Sequence, residues 1–292
     1  MSGGSSLTLD HVALITPNLE ASREDYENLG FQLTAESSHK GKLSPDGDVV
    51  LWGSGNRCAM FRQGYFELLG VTDPDRPHDH FRSLAEKFHG VQMVALGCER
   101  AEELYRSRKD KLPLEPVVEV GRDVPYGPSG DATKPGLFRI VHVSPGAFPD
   151  AELFFIEHAT PDVLWQKKLL KHANGVQALS GVTICSYDPE ESAARFEKIT
   201  MRERSDEGLR FHLDEGVVSF ESPDDVVTRF REAVLPAVPC VAVVTLAVAD
   251  VEETRSYLKE KGITPRPVPL GDGIWVRPER TGGVVLHFTG GD

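Results

Sequence analysis

Cysteine is scarce and scattered. The four thiols, Cys58, Cys98, Cys185 and Cys240, form no CxxC pair. Neither a zinc knuckle nor a redox dithiol is therefore indicated, and reduced, mostly buried thiols are expected. Cationic charge is also short: 32 Lys and Arg face 45 Asp and Glu, a net charge of −13. Such a chain repels phosphate backbones, and no basic stripe with interleaved aromatics offsets this, so nucleic acid is excluded as an expected partner. Long apolar runs are missing too. The longest, 238–251, is interrupted by Pro239, Cys240 and Thr245 and is too short to span a bilayer. MSGGSS at the start lacks the charged and apolar regions of a signal peptide. The expectation is a cytoplasmic protein that takes a small-molecule substrate and engages neither nucleic acid nor membrane. A homodimer is left open.

What is present is a repeated statement. At 292 residues, 40% hydrophobic and 26% charged, the chain suits one or two compact units with a sizeable core. In 7–31, LTLDHVALITPNLEASREDYENLGF, an apolar strand carries His11, stops at Thr16-Pro17-Asn18, and gives way to a helix closed by Gly30. Strand, cap, helix and turn recur near Gly90, near Leu179 and near Cys240, with Asp188 and Asp250 as strong caps each followed three residues later by an acid. Short strands separated by turn residues follow each helix, as in VVLWG, CAMF and YFELLG of the first unit. The pattern predicts an α+β fold of four βαβββ modules paired into two half-barrel units, 7–158 and 177–290. A packing strap over 159–176 joins them. The Gly- and Pro-rich stretch 121–136 reads as a long irregular loop that borders the first cavity, with a lid as one role.

Chemistry follows from the pairing. Modules related by a pseudo-two-fold aim corresponding residues at one point. Aligned on the helix caps, the opening strands present His11, Gln92, Gly181 and Val243, and the first half's closing strands add Glu67 and Glu157. His, Gln and two carboxylates are an N/O donor set for a divalent ion such as Zn, Mn, Ni or Fe. Glu67, flanked by Tyr65, Phe66, Leu68 and Leu69, needs a partner if it faces inward. Glu152 and His158 compete with Glu157 for the closing-strand role, since a one-residue slip exchanges the two faces. His78, Asp79 and His80 read as a solvated loop and helix start.

The DHVALITPNLEAS opening, the FELLG closing strand and the repeated modules resemble the vicinal oxygen chelate superfamily. The stretch FFIEHATPDVLWQKKLLKHANGV is similar to its glyoxalase-3-like branch, which carries an H-x-T-P-[ED]-x-x-W … H-x-N-G strap. The resemblance implies a metal in the concavity of a paired module, held here by His11, Glu67, Gln92 and Glu157, with Glu67 or Glu157 also moving a proton. It points to a metal-dependent lyase or isomerase acting on a small oxygenated metabolite. A metal-free binding protein of the same fold is the alternative. A ring-cleaving dioxygenase is a weaker match, because Gly181 and Val243 stand at the second half's opening-strand positions and His212 and His287 read as structural or pocket-lining.

Overall fold

Caps and register explain where each element lies. In the computed structural model, which describes residues 6–42, 48–76, 80–127, 132–144, 146–269 and 271–291, the first module runs β1 (Leu7–Thr16), α1 (Leu19–Asn28), β2 (Ser37–Lys42), β3 (Val49–Met60) and β4 (Tyr65–Val71). A linking helix, α2 (His80–Lys87), leads to the second: β5 (Gly90–Cys98), α3 (Ala101–Arg108), β6 (Val118–Tyr126), β7 (Ala132–His142) and β8 (Glu152–His158). The strap holds the short α4 (Pro161–Leu164). The third module has β9 (Val176–Cys185), α5 (Pro189–Thr200), β10 (Arg210–His212) and β11 (Val217–Glu221), followed by a second linking helix, α6 (Pro223–Arg229). The fourth has β12 (Cys240–Val248), α7 (Val251–Glu260), β13 (Arg266–Pro267), β14 (Ile274–Val276) and β15 (Val285–Gly290). Three modules are thus βαβββ, whereas the third has two strands after its helix.

Side-chain oxygens satisfy the free N–H groups of three module helices: Asn18 accepts from Ala21, Asp188 from Glu191, and Asp250 from both Glu252 and Glu253. The N-cap of α3 is Arg100, whose side chain makes no capping hydrogen bond. The stretch 121–136 is not irregular where it is described. It forms most of a β6–β7 hairpin paired from Val118↔Ile140 to Tyr126↔Ala132. The cluster His78-Asp79-His80 falls outside the described residues apart from the backbone of His80.

In each module the first strand pairs parallel with the last, β1 with β4, β5 with β8, β9 with β11 and β12 with β15. The first strands of partner modules pair antiparallel, β1 with β5 and β9 with β12. This is the expected pseudo-two-fold. The halves join into one 15-stranded sheet through Val241↔Val91. Backbone bonds from Leu9 to Glu215 (2.7 Å) and from Arg62 to Gln177 (2.8 Å) add to the join.

Alternation along each strand separates three cores. Val12, Leu14, Val94, Val182 and Val244 face a central core shared by both halves, into which α1, α3, α5 and α7 pack Tyr26, Leu104, Phe196 and Leu258. Ala13, Ile15, Tyr65, Met93, Phe138 and Phe154 face the concavity of the first half. Cys185, Ala242, Val243 and Val285 face that of the second, which Val226, Phe230, Ala233 and Trp275 fill. There His287 is buried with its Nε2 2.8 Å from the Asp272 carbonyl, and His212 is exposed. Among the described residues no helix is long and apolar enough to cross a membrane.

The strap bolts the halves together. His172 accepts from the Gln32 N–H at Nδ1 (3.0 Å) and so donates to the Met60 carbonyl from Nε2 (2.8 Å), while Asn174 donates to the Leu29 carbonyl (3.0 Å) and its own carbonyl receives Thr254 (2.8 Å). A ring bonded this way is neutral, and burial holds its pKa below the ordinary 6.5. A depressed folded pKa means that stability is full above the unfolded value and declines as pH falls below it. The urea midpoint is therefore expected to drop as pH is lowered from 7.5 to 5.5, and to drop less in His172→Ala, which starts lower. Equal acid sensitivity of the two proteins would take His172 out of the explanation.

Candidate active site

The site begins with an irregularity in β1. Register against β5 passes from Leu9↔Leu96 to His11↔Ala95, which leaves Asp10 as an unpaired extra residue. A bulge of this kind re-aims side chains, and here the Asp10 carboxylate lies between two imidazoles. Its Oδ1 is 2.6 Å from Nδ1 of His11, and its two oxygens are 3.1 and 3.0 Å from Nε2 of His158. An ionised carboxylate can only accept, so His11 donates from Nδ1 and its neutral form carries a lone pair on Nε2. Burial alone would raise the Asp10 pKa, but the charge of His158 and the hydrogen bonds from His11 and His158 more than offset it and hold the group well below the usual carboxylate range.

Across from Nε2 of His11 stands Glu67, with Oε2 at 3.8 Å. Glu67 accepts from the Asn56 amide, and Asn56 in turn accepts from Nη1 of Arg122 at 2.6 Å. Tyr65 stacks on the His11 ring at 4.2 Å and 17°. Phe154 meets His11 edge-on, and Phe138 and Trp165 do the same to His158. Burial, followed by the Asp10 and Glu67 charges, pushes the Tyr65 phenol well above its ordinary value, so it stays protonated. Burial pushes the Cys58 thiol to about 12 despite the nearby Arg122, which removes it as a nucleophile.

Of the four expected ligands the structure brings two together, His11 and Glu67. Gln92 does not stand where His11 stands. Seven residues before the caps Asn18, Arg100, Asp188 and Asp250 lie His11, Met93, Gly181 and Val243. The parallel registers agree, pairing His11↔Tyr65, Met93↔Glu152, Gly181↔Val217 and Val243↔Val285. Gln92 corresponds instead to Asp10 as the bulged residue of its strand, and its amide donates to the carbonyls of Leu84 and Phe88 at the end of α2. Glu157 is also corrected. It lies on the opposite face of β8 from Phe154 and His158, where its carboxylate accepts from the Ala101 N–H (2.9 Å) and from Arg139 (2.5 Å). It supplies the cap that Arg100 lacks. Of the three closing-strand candidates, His158 joins the His11 cluster. Glu152 lies at the far end of the strand, in a cleft of about 470 Å³ with Gln92 and His142.

The donor set does not fit the divalent ion that the resemblance implies. Met93 and Phe154 occupy the second module's places for His11 and Glu67, and they offer a thioether and a phenyl ring. Among the described residues no group of three His, Cys, Asp or Glu is disposed to hold a metal, whereas protein metal sites ordinarily use at least three such ligands. The Arg122 guanidinium, two hydrogen bonds from Glu67 through Asn56, adds a positive charge that disfavours a cation there.

The sequence profile of the Glyoxalase-like domain family matches residues 9–200. The chain belongs to this family. No curated protein matches the sequence. Among solved structures the chain resembles a hypothetical protein from Staphylococcus aureus, with TM-score 0.66, 13% identity, and 97% of this chain and 98% of that one covered. It also resembles a triple mutant of 4-hydroxymandelate synthase from Streptomyces coelicolor (TM-score 0.58, 10% identity, 97% and 92% covered). A xylose isomerase-like TIM barrel/4-hydroxyphenylpyruvate dioxygenase fusion protein matches at TM-score 0.50 and 11% identity, over 91% of this chain and 40% of that one. At such identities the likeness is one of fold.

Within this glyoxalase-like chain the strap motif divides in two. His158 and Trp165 from its first part reach the site, while His172 and Asn174 from its second part are structural. Sequence reasoning missed Asp10, Asn56 and Arg122. Counting back from Arg100 rather than from a residue before it exposes the Asp10–Gln92 correspondence. Nothing local marks Asn56 or Arg122.

Proposed function

We propose that this protein is a vicinal-oxygen-chelate-type enzyme of the lyase or isomerase kind, and that it moves a proton on a small oxygenated metabolite without a resident metal. The observation that carries this is the Asp10–His11 pair, at 2.6 Å, aimed at Glu67. Nε2 of His11 takes a proton from the carbon next to a carbonyl. The C–H electron pair passes onto the carbonyl oxygen as an enolate, and the imidazolium returns the proton to the same or the neighbouring carbon. Asp10 holds the tautomer and balances the charge that His11 gains, and the aromatic walls exclude water.

Proton NMR in D₂O tests this on a panel of small hydroxy- and oxo-carbonyl compounds. Wild type is expected to exchange the α-proton with and without EDTA, and His11→Ala to slow exchange by about 10²–10⁴-fold. Exchange that disappears on chelation restores the metal-dependent reading. Ligand binding with no exchange by any compound supports the second reading, a metal-free binding protein, which the ring of Tyr65, Phe138, Phe154 and Trp165 favours.

A further inference from the structure

Three half-buried arginines elsewhere in the fold meet a carboxylate: Arg139 meets Glu157 at 2.5 Å, Arg195 meets Asp150 at 3.0 Å and Arg229 meets Glu221 at 2.8 Å. Arg122 does not. Among the described residues its Nη1 donates to the Asn56 side-chain oxygen at 2.6 Å, its Nη2 lies 3.8 Å from the Cys58 sulfur, and its Nε has no partner. The Phe138 ring lies 5.8 Å from the guanidinium carbon. The Arg122 Nε N–H is thus buried without an acceptor, a cost that a ligand oxygen would relieve.

Asn56 explains why the internal pairing fails. Its oxygen accepts from Arg122 while its amide nitrogen donates to Glu67, so it stands as a spacer between cation and anion. The edge left over is the one formed by Nε and Nη2, whose two parallel N–H groups match a carboxylate in a bidentate pair. The position along β6 fits a ligand anchor. On the inward face of this strand Val124 and Tyr126 pack into the first-half core, whereas Val118 and Val120 are 46% and 40% exposed. Arg122 lies between the exposed and the packed part of this strand.

We propose that the substrate is a small organic carboxylate, with Arg122 as its anchor through the Nε–Nη2 edge. The hydrogen-bonded run from Arg122 through Asn56 to Glu67 then sets the reacting carbonyl close to the carboxylate, which selects short oxo and hydroxy acids over their neutral counterparts. This rests on the first-half concavity being the substrate site.

Isothermal titration calorimetry with pyruvate, lactate and phenylpyruvate, against pyruvamide, lactamide and inorganic phosphate, tests it on the full chain. At least one carboxylate is expected to bind while its amide and phosphate do not. Arg122→Gln is expected to weaken that binding by about 10- to 100-fold, and Arg122→Lys by less. Amides that bind as well as acids to the wild type, binding of phosphate alone, or no binding of any acid would overturn the proposal without relying on a variant that folds. So would unchanged affinity in a folded Arg122→Gln. Arg122-dependent carboxylate binding with no α-proton exchange would leave this anchor standing and sink the proton-transfer reading instead.

Discussion

Gly30→Ala is expected to destabilise the protein by about 3–5 kcal/mol, combining backbone strain with overpacking at a closed junction. Gly30 has φ +93°, and a Cβ built there would lie 2.5 Å from Cε1 of Tyr257 and 2.9 Å from the backbone N of Asn174. Tyr257 belongs to α7 of the second half and Asn174 to the strap, so the end of α1 is where all three parts meet. The Gly30 carbonyl also accepts from Ala173 (2.9 Å), which leaves the backbone little freedom to retreat. Gly208 supplies the comparison. Its φ is +104°, but nothing lies within 4 Å of a Cβ there, so Gly208→Ala should cost strain alone, on the order of 1 kcal/mol. Urea denaturation of both variants separates the two contributions. Similar losses at the two positions would mean that the junction is not closely packed.

The same junction shows what the sequence could express. Strand, cap, helix and closing glycine are local signals, so the repeat and the end of α1 at Gly30 are legible without tertiary information. His11 and Glu67 were legible because a His and an acid inside apolar strands need partners wherever they go. Two further expected ligands failed for reasons of geometry. A bulge adds one residue to a strand without any local mark, and it places Asp10 and Gln92, rather than His11 and Gln92, at matching positions. The choice between Glu157 and His158 is a choice of strand face, and it is settled by the uncapped N-terminus of α3 that draws Glu157 outward. The hairpin of β6 and β7 was hidden by Pro125 and Pro135, which argue against a central strand. Pro125 is tolerated because, among the described residues, β6 pairs only with β7, and Pro135 because β7 meets β8 only from Phe138 to His142. Arg122 was hidden with it, since its meaning lies in a carboxylate it fails to meet.

Asp10→Asn is expected to affect chemistry and stability together, with a pH signature that separates the two. The asparagine keeps the shape but loses the charge that faces two buried imidazoles, so His11 loses the partner that fixes Nδ1 as the donor and supports a positive ring. Exchange of the α-proton should fall by about 10²–10⁴-fold, as for removal of the base itself. Stability at pH 7 should fall by about 2–4 kcal/mol, because a buried charge-assisted cluster is broken on one side. The wild-type carboxyl has a pKa depressed from 3.8, so its contribution is complete above that value and shrinks as pH falls below it. The stability gap between wild type and Asp10→Asn should therefore close progressively as pH falls below about 4. A gap that persists unchanged into that range would mean the variant acts through packing rather than charge. Exchange at the wild-type rate in a folded Asp10→Asn would remove the carboxylate from the mechanism and leave His11 to act without an orienting partner.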